Sequence, residues 1–234
     1  MAQILVPTTS ADDWKRLLAR PKLHWKPGFS AMALARSWEA AATSGFPPEV
    51  ATALRSGKSD WHNLRLLIAI PEYKVPLPGG SHASQTDLVA FGRAPSGLVA
   101  IAIEGKVDES LGPTVGQKRA KASAGVDQRV HYLETSLGMR DPCPDGIRYQ
   151  LLHRAVSALR IARDFAAGSA VMLVQSFSLS AKGFSDFEAF AHLFGVTPTM
   201  GSVLNTGMRD GINLYIGWCV GDQRFRADVV PPVV

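Results

Sequence analysis

Apolar residues recur along the chain first at helical and then at strand spacing. Trp14, Leu17 and Leu18 share one face of a short helix predicted over 11–20, with Ser10 and Asp13 as a capping-box-like start. Residues 21–28 read as a loop. Met32, Ala35, Trp38 and Ala42 form the buried stripe of a second helix over 31–43, capped by Ser30, with Glu39 on the adjoining face. Gly45, Pro47 and Pro48 end it, and a third short helix runs to about Arg55 and closes at Gly57. Residues 63–70 (NLRLLIAI) are dense in apolar side chains, as in a buried strand. Residues 71–80 hold three prolines and two glycines and are expected to be a loop.

Two apolar runs follow, 87–91 and 98–103, around the turn residues Pro95, Ser96 and Gly97. This is a β-hairpin pattern. A ladder without a bulge, closing between Pro95 and Ser96, sets Asp87 opposite Glu104. Directly opposed residues share a face with Cβ atoms about 4.5–5.5 Å apart. Lys106, two residues beyond Glu104, lies on that face as well. Two close carboxylates repel and are costly to bury unless a cation lies between them. A hard divalent ion with oxygen ligands, Mg²⁺ or Mn²⁺, meets that need and activates water beside a phosphate. The competing reading is a solvated rim carrying an Asp and a Glu–Lys pair.

Further along, Val126, Val130, Leu133 and Leu137 place one amphipathic helix within an otherwise irregular 108–148. Lys118, Arg119, Lys121 and Arg129 cluster at its start; they read either as a phosphate-gripping loop or as a solvated surface. Residues 149–165 are a helix with Leu151, Leu152, Ala155, Val156, Leu159 and Ala162 on its apolar face. Gln150 and Arg154 are neighbours at that face's edge. A buried strand at 170–177, a helix at 184–194 and an aromatic-rich strand at 212–220 complete the set, with 224–229 expected as the last strand's hairpin partner. The tail, 231–234, is expected to be loose.

Composition narrows the class without fixing it. The 234 residues are 46% hydrophobic, enough for a single large domain over 1–234. There is no run of 18 apolar residues, so no membrane span is expected, and the first 20 residues lack a secretory pattern. Cys143 and Cys219 have no ligand spacing and read as reduced thiols, which suggests a cytoplasmic protein. The net charge of +5 permits a nucleic-acid partner. No P-loop, GxSxG elbow, dinucleotide glycine triplet or HExxH occurs. His24, His62, His131, His153 and His192 are scattered, and His82 reads as a solvated loop residue.

The arrangement Asp87–x16–Glu104–x–Lys106 resembles the metal site of the PD-(D/E)XK nuclease superfamily, although Thr86 stands where many members have proline. The element order over 31–177, α-β-β-β-α-β, is similar to that superfamily's core, with 178–234 as an elaboration. The resemblance implies a restriction-endonuclease-like α/β fold with a mixed sheet flanked by helices. It implies a metal-dependent nuclease acting on DNA or RNA, with Asp87 and Glu104 binding Mg²⁺ or Mn²⁺ beside the Gly105 carbonyl. Lys106 would then position the water, Glu39 would be a further metal carboxylate, and Gln150 and Arg154 would face the substrate. Gly79, Gly80, Ser84, Gln85 and Asp87 also resemble a GG-x-x-x-SQ-x-D stretch found in a small bacterial family of uncharacterised proteins. The alternative function is a non-catalytic nucleic-acid-binding or accessory protein that keeps the fold.

Overall fold

The computed structural model describes residues 7–80, 82–121 and 123–227. A 3-10 helix at Ala11–Leu17 leads into α1 (Pro21–His24), α2 (Ser30–Ala40) and α3 (Pro48–Arg55). Then come β1 (Arg65–Val75), β2 (Ser84–Ala94), β3 (Gly97–Lys106), α4 (Val115–Arg119), α5 (Ala124–Ser136), α6 (Tyr149–Asp164) and β4 (Ser169–Ser176). The chain ends with α7 (Phe184–His192), β5 (Ser202–Arg209), β6 (Ile212–Val220) and a 3-10 turn at Gln223–Arg226. The class is α/β, as expected: one mixed six-stranded sheet in the order β1-β2-β3-β4-β6-β5, flanked by helices. β3, β4 and β6 run parallel, and the outer pairings are antiparallel.

Alternation along β3 divides the core. Ala100 and Ala102 face one cluster with Leu151, Leu152, Ala155 and Leu159 of α6. Val99, Ile101 and Ile103 face another with Leu34, Ala35 and Trp38 of α2 and with Val50 and Leu54 of α3. Glu104 and Lys106 continue the α6-facing set, whereas Gly105 lies against Leu34 of α2. The hairpin register is the expected one. Seven pairs run without a bulge from Leu88–Ile103 to Ala94–Gly97, around Pro95 and Ser96.

Several elements differ from expectation. The strand expected at 63–70 is longer, continuing through Pro71 to Val75, and it is an edge strand rather than a buried one. Leu67 and Ile68 are half exposed, and an edge tolerates the missing proline N–H. The buried stripe of α2 is Met32, Ala33, Leu34, Ala35 and Trp38, while Ala42 lies beyond its end and is exposed. Ser30 is the first helical residue, not the cap. Its N–H is taken by the Glu109 carboxylate at 2.7 Å. The expected box at Ser10 is replaced by Asp13 accepting from the Thr9 backbone and hydroxyl, both at 2.8 Å. Part of the loop expected at 21–28 is the short helix α1. The partner of β6 is β5, before it in the chain, not 224–229. Phe225 instead buries within a 3-10 turn capped by Asp222, and 228–234 lie outside the described residues.

Candidate functional site

The hairpin register brings Asp87 level with Glu104, and the β1–β2 register adds a third acid. Glu72 lies between the Pro71–Leu88 and Tyr73–Thr86 pairs, hence level with Asp87. Three carboxyl groups therefore form a row across β1, β2 and β3. Glu72 has a left-handed backbone (φ 53°), a conformation that L side chains rarely adopt.

α6 crosses this row and supplies one of its two cations, Arg154, while β3 supplies the other, Lys106. Arg154 Nε donates to Glu104 Oε2, and an Arg154 nitrogen lies 3.9 Å from Asp87 Oδ1. Glu104 Oε1 accepts from Lys106 Nζ at 2.8 Å and from Gln150 Nε2 at 2.6 Å. Asp87 Oδ2 accepts the Gly105 N–H at 2.9 Å, and Glu72 Oε2 accepts from Gln85 Nε2 at 2.5 Å. The side chains of Glu104, Lys106 and Arg154 are 3%, 8% and 8% exposed, whereas that of Asp87 keeps 25% of its surface open. The two cations thus serve Glu104 first, and Asp87 and Glu72 are left with less than a full counter-charge.

The proton affinities follow from that division. Burial alone would raise Glu104, but Arg154 and Lys106 outweigh it and hold the carboxyl down at about 2. Burial, with the neighbouring Glu104, pushes Asp87 up to about 7. Burial and Asp87 push Glu72 up to about 8, against the Gln85 hydrogen bond. Burial works against the charge on Lys106, but Glu104 and Asp87 prevail and raise its value, so it stays an ammonium. A protonated lysine does not act as a base. It orients water or offsets negative charge, while Asp87 and Glu72 are the groups able to exchange protons near neutrality.

His153, one of the scattered histidines, belongs to this site. Its Nδ1 is 3.0 Å from Ser84 Oγ, which also accepts from Arg154 at 2.9 Å. Burial and the adjacent guanidinium hold its proton affinity well below the ordinary range, so the ring is neutral. The cleft over the row has a volume of about 540 Å³. Glu72, Gln85, Asp87, Glu104, Lys106 and Gln150 line it, as do His153, Tyr149 and Lys118.

Of the residues expected in the site, Asp87, Glu104, Lys106, Gln150 and Arg154 converge. Glu39 does not. It rides on α2, which packs on the other face of the sheet, and it lines a separate cavity of about 940 Å³. Its Oε1 accepts from Thr8 at 2.8 Å and from Trp14 at 2.7 Å, so it anchors the N-terminal segment. The basic cluster also divides. Arg129 is buried, donating to the carbonyls of Leu77, Pro78 and His82, and Arg119 is bound to Glu134, Asp145 and the Cys143 carbonyl. Lys118 lines the cleft, 5.0 Å from the Tyr149 ring centroid, and Lys121 is exposed.

A divalent ion suits the site's chemistry in kind. The acceptors lining the cleft include carboxylate oxygens, the donors that a hard cation prefers, and burial with neighbouring acid charge makes Asp87 and Glu72 resist ionisation. As they stand, no three His, Cys, Asp or Glu side chains among the described residues are grouped closely enough to hold an ion together. The fit is therefore to an ion held by one or two carboxylates and completed by water and substrate oxygens, as Mg²⁺ commonly is. Glu104 would join only by releasing Lys106 or Gln150.

Fold and site together define an α/β protein with a largely buried row of acids and cations beneath a cleft on the α6 face of its sheet. The chain belongs to the family described as a domain of unknown function (DUF6946), whose model matches residues 7–223. No curated protein and no solved structure matches it.

Proposed function

We propose that the cleft is the active site of a Mg²⁺- or Mn²⁺-dependent nuclease hydrolysing phosphodiester bonds of DNA or RNA. The observation carrying this reading is the charge deficit: three carboxyl groups on adjacent strands against two cations, with Asp87 and Glu72 held above the ordinary carboxyl range. With α3, α4 and α5 taken as insertions, the order α2, β1, β2, β3, α6, β4 resembles that of a PD-(D/E)XK core, and we read the fold as a branch of that superfamily. Asp87, Glu72 and, on rearrangement, Glu104 would hold the ion, which supplies Lewis-acid stabilisation of the phosphate and an activated water. Lys106 orients that water through its ammonium. Arg154 and Gln150 set the position of Glu104, and His153 presents a neutral ring to the cleft wall. Hydrolysis joins the water oxygen to phosphorus and breaks the bond to the leaving oxygen. The proton lost by the attacking water passes to solvent, and the leaving oxygen takes up a proton from solvent. The free, buried thiols Cys143 and Cys219 suit the cytoplasmic setting that belongs to this reading.

Incubation of the protein with single-stranded and plasmid DNA and with RNA, with Mn²⁺, tests the proposal. Cleavage lost in Lys106→Ala supports it; absent cleavage, or cleavage that survives the substitution, contradicts it. The saturation of Glu104 by Lys106, Gln150 and Arg154 favours a second reading, a non-catalytic nucleic-acid-binding protein that keeps the cluster as a structural lock. On that reading Asp87→Asn leaves nucleic-acid affinity unchanged.

A further inference from the structure

The walls of the cleft bear on what enters it. The volume of the cleft is about 540 Å³. It lies within the range of about 300–1,000 Å³ typical of small-ligand pockets. The acids and Lys106 are at its base, with Glu104 and Lys106 almost wholly buried. Residues 18–20 and His24 of the N-terminal segment form one wall, and Ser110, Gly112 and Pro113 form another. The N-terminal segment is held in place by Trp14, which is buried in the core and bonded to Glu39. A phosphodiester that reaches the row passes between these lining segments.

A second observation concerns charge outside the cleft. The segment that forms its first wall carries Lys15, Arg16, Arg20, Lys22 and Lys26, all exposed, against Asp12 and Asp13. Arg16 pairs with Asp13 at 3.8 Å, a loose contact, and Arg20 itself lines the cleft. Lys118, also lining the cleft, stands over Tyr149, a half-buried ring packed against the core beside His153. Exposed cations on a segment that lines the cleft, with an aromatic ring in the cleft itself, are features that hold an unpaired strand: phosphates on the cations, a base beside the ring.

We propose that the substrate is single-stranded nucleic acid, with one nucleotide lodged in the cleft and the adjoining phosphates on the basic segment 15–26. This rests on the nuclease reading and narrows its substrate. The test compares wild-type protein with Mn²⁺ on a short single strand, on the same sequence as a duplex, and on bis(p-nitrophenyl) phosphate, a small diester without bases. Cleavage of the single strand about tenfold or more faster than the duplex is expected, and Arg20→Ala with Lys22→Ala should raise the KM for the strand roughly three- to tenfold. Duplex cleavage as fast as single-strand cleavage, with the small diester also hydrolysed, would overturn this inference and leave the nuclease reading standing. If nothing is hydrolysed, the nuclease reading falls, and calorimetric binding without metal decides the inference separately. Tighter binding of the single strand than of the duplex, weakened by Lys118→Ala, upholds it; equal or tighter duplex binding overturns it.

Discussion

Glu104 and Asp87 are neighbours with opposite requirements. Glu104 is the shared counter-ion of Lys106 and Arg154, both buried. Glu104→Gln leaves two cations without that partner, and loss of one member of a buried charge pair costs about 3–5 kcal/mol. Urea unfolding checks that loss. Asp87 is the reverse case, a carboxyl held above its ordinary value mainly by burial. Between its ordinary range near 4 and its folded value of about 7, the folded state binds more protons than the unfolded one. Its contribution to stability therefore declines as pH rises through that window, and Glu72 adds a decline extending to about 8. Glu104, held low, contributes stability that is present above its ordinary value and is lost as pH falls toward 2. Asp87→Asn, which can still accept the Gly105 N–H, should thus flatten the pH dependence and be no less stable than wild type near pH 8. Thermal unfolding across pH measures this, and a marked loss of stability in Asp87→Asn near pH 8 would contradict the charge-deficit account.

At the level of elements, what the sequence disclosed depended on how tightly each neighbour was constrained. The β2–β3 hairpin was legible because two apolar runs around Pro95 and Ser96 allow one register without a bulge, and that register places Asp87, Glu104 and Lys106 together. α6 was legible from its apolar stripe, and with it Gln150 and Arg154. β1 was cut short because Pro71 reads as a breaker, whereas an edge strand tolerates it, and Glu72 was lost with the missing residues. A strand carried through to Val75, paired with β2, would have found it. β5 escaped because its partly exposed, polar sequence shows little alternation. Glu39 was misplaced because a helical face alone does not say which side of the sheet the helix covers. Arg129 shows the same difficulty for charge. Read as either a phosphate-gripping or a solvated residue, it instead ties α5 to the carbonyls ahead of β2. Arg129→Met should cost about 1–3 kcal/mol in stability, the range for buried acceptors left unpaired. Lys118→Met, at the cleft wall, should leave stability nearly unchanged and weaken substrate binding. Paired urea titrations and binding curves separate the two roles.

Over the whole molecule, the net charge of +5 says little until its cations are assigned. Arg119, Arg129 and Arg154 are committed to internal partners, and the basic surface near the cleft includes Lys118 and the N-terminal segment. Fold and chemistry meet because an antiparallel hairpin and an edge strand align three acids with Lys106, and the crossover helix α6 delivers Arg154 from the same face. No helix among the described residues is long and apolar enough to cross a membrane. The central claim is that this row is one positive charge short and that a divalent ion supplies it. Calorimetric titration of Mn²⁺ at about pH 7, where Asp87 and Glu72 are partly protonated, in two buffers of different ionisation heat, tests it most directly. The account predicts one ion bound per chain with release of protons, and loss of both signals in Asp87→Asn. Absence of binding, or binding indifferent to that substitution and without proton release, would contradict it.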